Sequence, residues 1–279
     1  MIKELSADEY NRFRLVLEKN SGITLGLGKE YLVNSRLRRL LERESFSSVT
    51  ELMNAMERNR SLQEQVIDAM TTNETLWFRD DHPYRIFRDK LLPEFAAQRR
   101  PLKIWSAACS TGQEPYSLSI EIEEYKKRFP GQMMSGERIL ATDISPSSLA
   151  QAKEGVYQQL AIRRGMNDAY LKAYFDQDDQ GSWRIRQNIK SRVDFRIQNL
   201  QQSFSLLGKF DIIFCRNVLI YFSADLKADI LQRMHANLNP GGYLMLGASE
   251  SMNGLGDYFE MVQCSPGLVY RAKSLTSIR

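Results

Sequence analysis

The feature that most constrains this chain is a change of period near Pro101. From there, short apolar runs alternate with stretches of helical spacing. Residues 103–108, 138–142, 193–197, 210–215 and 243–247 read as strands. Residues 116–128, 147–153 and 225–237 read as helices between them. Strands that are apolar on both faces, joined by helices, predict a parallel sheet covered on each side. The last two runs, 258–263 and 267–272, are joined by Cys264-Ser265-Pro266 and predict an antiparallel hairpin closing the sheet edge. Residues 155–192 break the alternation with a short helix, a polar turn from Asp176 to Ser182 and a strand-like 183–186, which predicts an insertion on the sheet.

Before this segment no strand pattern exists. Leu5, Phe13, Val16 and Leu17 recur at helical spacing, and Ser6 is placed to cap a helix beginning near Ala7. Gly22, Gly26 and Gly28 interrupt the pattern, and further helices are expected over 31–44, 49–58 and 61–70. The expected organisation is an all-helical domain at 1–75 and an α/β domain at 76–279, with a small β-subdomain inserted at about 155–192.

Composition narrows the function. A net charge of +4 on 279 residues excludes a polyelectrolyte binder, so any acidic partner must meet a local patch. His82 and His235 are the only histidines, and neither has a second ligand at metal-binding spacing, so no metal is expected. Cys109, Cys215 and Cys264 form no CxxC and are expected to be free thiols in a reducing compartment. The charged N-terminus and the lack of a membrane-length apolar run predict a cytoplasmic protein without membrane insertion. A monomer is expected.

In open α/β sheets, ligands lie beyond the carboxyl ends of the strands. After the first strand come Ser110-Thr111-Gly112-Gln113-Glu114; at the second, Asp143; after the third, Asn199-Leu200; after the fourth, Arg216-Asn217-Val218 and Tyr221. The first turn has neither GxxxxGK[ST] nor GxGxxG, so it is not built for a pyrophosphate. Asp143 stands where an acid accepts hydrogen bonds from a ribose diol. Glu114 puts a carboxylate where phosphate would be repelled. A nucleoside with a cationic, zwitterionic tail satisfies both acids, and S-adenosylmethionine is such a ligand. Gly112 is expected to let the backbone approach it.

"TTNETLWFRD", "WSAACSTGQEPYSL", "ATDISPSSLAQAKEGVY" and "FDIIFCRNVLIYF", in this order, resemble the CheR family over nearly the whole chain. These are chemotaxis-receptor protein-glutamate O-methyltransferases. The resemblance implies a class I S-adenosylmethionine-dependent methyltransferase sheet, Rossmann-like, with product S-adenosylhomocysteine. It implies that Asn73, Thr75, Arg79, Glu114, Asp143, Asn199, Leu200, Asn217 and Val218 contact the cofactor. It also puts Arg79 and Tyr221 at the reacting centre, in positioning roles. The partner implied is the cytoplasmic methylation region of membrane chemoreceptors, met by a basic stripe of Arg36, Arg39 and Arg43 beside the apolar Val33, Leu37 and Leu40. In some relatives the β-subdomain holds a peptide at the receptor C-terminus. Here the turn after Phe175 is short and carries Asp176, Asp178 and Asp179, so independence from such a peptide is expected. Trp77 and Phe78 are expected to be packing residues. Two rivals are a nucleic-acid methyltransferase and a non-catalytic S-adenosylmethionine sensor. The first lacks the Asn/Asp-Pro-Pro-aromatic motif after the fourth strand, so no nucleic acid is expected; the second is opposed by intact Arg79 and Tyr221.

Overall fold

The computed structural model describes residues 4–133, 136–252 and 254–274, so the last five residues of the expected 76–279 domain lie outside the described residues. Four helices come first: α1 (Ala7–Ser21), α2 (Glu30–Arg43), α3 (Val49–Met56) and α4 (Arg60–Met70). The Ser6 hydroxyl accepts from the Glu9 amide at 3.3 Å, and the Glu9 carboxylate accepts from the Ser6 amide at 2.9 Å. Ser48 and Asn59 cap α3 and α4 one way, their side chains accepting from the Glu51 and Leu62 amides. Each such cap is worth about 1 kcal/mol. The apolar stripes meet in one core containing Phe13, Leu17, Val33, Leu37, Leu52 and Val66.

The chain next forms a helical run that the sequence reading left unassigned: α5 (His82–Ile86), a π turn (Phe87–Leu91) and α6 (Leu92–Ala97). The π turn ends two residues before Pro93, which has no N–H to place in an α-helical ladder. Phe87, Leu91 and Leu92 are completely buried beside the sheet residues Ile104 and Phe214.

The remaining elements are β1 (Lys103–Ala107), α7 (Gln113–Arg128), β2 (Arg138–Asp143), α8 (Pro146–Glu154), β3 (Val156–Tyr157), α9 (Gln159–Arg163), α10 (Asp168–Tyr174), β4 (Phe175–Gln177), β5 (Trp183–Ile185), α11 (Gln187–Lys190), β6 (Val193–Ile197), β7 (Phe210–Cys215), α12 (Ala224–Asn237), β8 (Leu238–Leu246), β9 (Phe259–Cys264) and β10 (Gly267–Ala272). The large sheet has the order β6-β2-β1-β7-β8-β10-β9. The first five strands are parallel, and β10 runs antiparallel to both β8 and β9. The hairpin therefore closes the edge as expected, with β10 on the inside. The fifth strand begins earlier than its apolar run suggests, at Leu238, because the Asn239-Pro240-Gly241-Gly242 segment is drawn into the ladder with a register shift against β7.

Residues 155–192 carry a second, three-stranded antiparallel sheet, β3-β5-β4. Its Tyr157, Phe175 and Ile185 pack with Tyr116 and Trp77. Trp77 is fully buried, edge-on to Tyr157 at 4.9 Å and to Phe175 at 5.2 Å, and so is a packing residue as expected. Strand order reverses at β1, which has β2 on one side and β7 on the other. That reversal opens a crevice at the strand ends.

Candidate active site

A cleft lies over this crevice. Its floor and one wall come from the sheet: Ala108 to Ser110, Glu114, Asp143, Asn199, Leu200, Arg216 to Val218 and Tyr221. The other wall comes from the helical part: Ser21 and Ile23 to Leu25 after α1, Lys29, Leu32 and Arg36 at α2, and the extended segment from Met70 to Leu76, continuing to Arg79.

Asp143 ends β2 and is buried. One carboxylate oxygen accepts from the Ser110 amide at 2.7 Å, the other from the Ser145 amide at 2.9 Å. Burial pushes its pKa up, and the amides of Ser145, Ser110 and Ile144 oppose the shift. The three amides leave the carboxylate acceptor capacity for a hydroxyl donor.

Glu114, in the first turn of α7, is also buried. It accepts from the Ser106 hydroxyl at 2.8 Å and pairs with Arg216 at 3.1 Å. Burial raises its pKa, against the pull of Arg216 and Ser106. Arg216 is nearly inaccessible, its side chain 1% exposed, and bridges Glu114 to Asp80 at 2.7 Å and to the Arg79 carbonyl at 2.8 Å. Burial disfavours its charge, but the surrounding Tyr84, Glu114 and Asp80 more than compensate, so its pKa is raised. Arg216 thus ties the segment around Arg79 to the end of β7.

Arg79 lines the cleft and donates to the Glu74 carbonyl at 3.1 Å, leaving other guanidinium donors for a ligand. Asn73, on the same segment, has its carbonyl fixed by the Ser110 hydroxyl at 3.0 Å, and Thr75 also faces the cleft. Asn199 lines the cleft, but its amide nitrogen donates to the Asn20 carbonyl at 2.9 Å and its amide oxygen accepts from Gln201 at 2.9 Å. Its side chain therefore joins the two parts of the molecule. Tyr221 is joined likewise: its carbonyl accepts from the Thr24 amide at 2.8 Å and the Thr24 hydroxyl at 2.9 Å.

Three expectations need correction. Gly112 does not line the cleft. A Cβ there would lie 3.0 Å from the Ala152 Cβ and 3.1 Å from the Tyr157 hydroxyl. With φ of +94°, the glycine serves the turn into α7 and close packing beneath it, not ligand approach. Arg36 does not share the outward stripe. Its guanidinium turns onto the Met70 and Thr71 carbonyls and the Thr72 hydroxyl, where α4 ends, and it lines the cleft. Arg39 and Arg43 remain exposed on α2 and do not line it; Arg43 pairs with Glu44 at 3.0 Å. The third concerns the aspartates of the β4–β5 hairpin. Asp176 is paired with Arg186 at 3.0 Å, so one of the three charges is offset, while Asp178, which accepts from the Gln180 and Ser182 amides, keeps its own.

Sequence reasoning missed Arg216 as a bridge between the end of β7, Glu114 and Asp80. Cys109 and Cys215 are buried, and burial pushes both thiols up, away from nucleophilic use. Neither histidine is among the cleft-lining residues. No group of three or more His, Cys, Asp and Glu side chains is placed to hold a metal among the described residues.

The donor set fits a nucleoside carrying a cationic tail. Two buried carboxylates stand at the ends of β1 and β2, with no lysine in the first turn to meet a phosphate. Comparison with known proteins agrees. Residues 8–71 match the model of the CheR methyltransferase all-alpha domain, and residues 73–268 that of the CheR methyltransferase SAM binding domain. The chain is 53% identical over 268 residues to Chemotaxis protein methyltransferase 1 of Pseudomonas aeruginosa, covering 95% of this chain and 98% of that protein. It is 52% identical over 269 residues to Chemotaxis protein methyltransferase Cher2 of Pseudomonas putida, with coverage of 95% and 98%. It is 52% identical over 271 residues to Chemotaxis protein methyltransferase 1 of Vibrio cholerae, with coverage of 96% and 98%. The chain is an S-adenosylmethionine-dependent methyltransferase and belongs to the CheR family.

Proposed function

We propose that this chain methylates glutamate side chains of chemotaxis receptors, forming methyl esters for sensory adaptation. The observation that carries this reading is a cleft with two buried carboxylates, Arg79 with guanidinium donors to spare, and no histidine among its lining residues. A receptor glutamate is already ionised at neutral pH, so its attack needs no general base. Bound in the cleft, S-adenosylmethionine supplies an electrophilic methyl group on a sulfonium.

The protein's part is placement and exclusion of water. Asp143 accepts from the ribose hydroxyls with the lone pairs its amide donors leave. Glu114, held by Ser106 and Arg216, faces the cationic end. Asn73, Thr75, Asn199, Leu200, Asn217 and Val218 complete the cofactor side. Arg79 orients the acceptor carboxylate without a tight pair that would blunt it, and Tyr221 stands at the same centre. On the receptor side, Arg39 and Arg43 meet the acidic methylation region, while Arg36 supports the segment carrying Asn73 and Thr75.

The enzyme works as a monomer on the cytoplasmic side. No helix among the described residues is long and apolar enough to cross a membrane. Recognition is independent of a receptor C-terminal peptide, because the β4–β5 turn is short and Asp178 and Asp179 keep negative charge there; titrating such a pentapeptide by calorimetry tests this, and micromolar binding would refute it. Methyl label from S-adenosylmethionine, offered with a receptor cytoplasmic fragment or with RNA, tests the whole reading. Label on the receptor that is released by alkali is expected. Alkali-stable label, or label on RNA, would overturn it.

A further inference from the structure

We propose that Glu250 is a positioning residue for methyl transfer, holding the turn that carries Asn217, Val218 and Tyr221. It stands beyond β8, in Gly247-Ala248-Ser249-Glu250, and is half-buried. One carboxylate oxygen accepts from the Asn217 amide at 2.7 Å and the Gly247 amide at 2.8 Å. The other accepts from the Val218 amide at 3.0 Å and the Leu219 amide at 2.7 Å. Three successive N–H groups of the turn after β7 therefore converge on one anion.

Such a nest of amides is a site for negative charge, and each bond is charge-assisted. The turn needs the support. Asn217 has φ of +57°, a left-handed conformation costly for a residue with a side chain. The two loops also touch closely: a Cβ on Gly247 would lie 2.7 Å from the Glu250 carboxylate and 2.9 Å from the Asn217 amide nitrogen. The Tyr221 amide in turn donates to the Val218 carbonyl at 3.1 Å, so the placement of the tyrosine follows from that of the turn. Glu250 does not line the cleft and acts only through these groups.

The inference rests on the reading that Asn217 and Val218 face the cofactor and Tyr221 the acceptor. Glu250→Gln keeps the size but brings an NH2 group against backbone donors. We expect S-adenosylhomocysteine affinity to fall at least tenfold and kcat at least tenfold, with KM for receptor within twofold of wild type. Glu94→Gln is the control: Glu94 accepts from the Tyr243 hydroxyl at 2.9 Å, away from the cleft, and its loss should lower Tm while leaving both quantities unchanged. Glu250→Ala empties the nest, and formate should restore part of its kcat, because a small carboxylate can occupy the four donors. Glu250→Gln with affinity and kcat within twofold of wild type overturns the proposal, as does an impaired Glu250→Ala that formate does not improve. Should Glu250→Gln fail to fold, Glu250→Asp decides, since it keeps the charge but falls short of the four donors; wild-type values there overturn the proposal. If wild type itself failed to bind S-adenosylhomocysteine, the functional reading would fall instead.

Discussion

On the sheet side of the cleft, Glu114, Asp143 and Arg216 are buried and held by fixed partners from β1, β2, β7 and the loops after them. On the helical side, Arg39 and Arg43 stand in solvent on α2, and the wall consists of the loop after α1 and the extended segment after α4. Groups fixed before binding need no reorganisation at the moment of reaction, which suits a cofactor whose charge and shape never vary. Exposed arginines lose little by waiting in water and act through field and on-rate, which suits a large acidic partner. The two sides meet in several hydrogen bonds, among them Thr24 on the Tyr221 carbonyl, Asn199 on the Asn20 carbonyl and the Ser110 hydroxyl on the Asn73 carbonyl. The end of α1 and the loop after it are therefore joined to the sheet side of the cleft through backbone carbonyls.

The strongest way to break this division is at Arg79. Arg79→Ala should lower kcat about 100-fold or more, through lost acceptor orientation, and weaken S-adenosylhomocysteine much less. Equal losses in kinetics and calorimetry would make it a cofactor residue only.

A second test uses a buried carboxylate without the support given to Glu114. Glu121, on α7, has one oxygen 3.6 Å from Arg88, while its other oxygen has no hydrogen-bond partner among the described residues. Burial, opposed by Arg88, pushes its pKa from 4.5 up to about 7. A raised acid favours the protonated folded state. Its contribution is thus fully present below the unfolded value and is lost as pH rises through about 7. Glu121→Gln should match wild type at pH 4.5 and exceed its stability by about 2–3 kcal/mol at pH 8. A pH-independent difference in denaturant melts would contradict this.

A third test sharpens the helical side. Reversing Arg39 and Arg43 to Glu should raise KM for receptor about tenfold, at low salt, without touching cofactor affinity. Arg36→Ala should do the opposite, because its guanidinium supports the segment before Asn73. If all three arginines behave alike in receptor kinetics, the reassignment of Arg36 is wrong. The smallest effect is expected at the joint. Thr24→Val removes one of two hydrogen bonds to Tyr221, worth about 0.5–1.5 kcal/mol, and should lower kcat about two- to fivefold. A larger loss in Tm than in kcat would mark it as purely structural.

The sheet and the acids lining its cleft could be read from sequence because both rest on local pattern. Apolar runs place the strands, and Glu114 and Asp143 stand within a few residues of their ends. What escaped depends on distance along the chain. Arg216 meets Glu114 across 102 residues and Asp80 across 136, and no spacing rule connects them. Glu250 is 33 residues from the amides it holds at Asn217. Arg36 was misread because a helical wheel shows which face a side chain leaves from, not whether it turns back onto the end of another helix. The α5–α6 run was left unassigned; it carries Pro83 and Pro93 and continues only through the π turn between them. Gly112 was misread for a related reason, since a glycine in a turn does not reveal whether ligand or protein fills the space beside it.

The central claim is that the cofactor is held by the sheet side together with the segment after α4, and that the receptor is met by the exposed face of α2. Calorimetric titration of S-adenosylhomocysteine into wild type, Asp143→Ala and the Arg39→Glu, Arg43→Glu double variant tests it most directly. Asp143→Ala should lose about 1–3 kcal/mol of binding, from ribose hydroxyls left without their acceptor, and the double variant should bind as wild type does. Wild-type affinity in Asp143→Ala, or an equal loss in the double variant, would contradict the division.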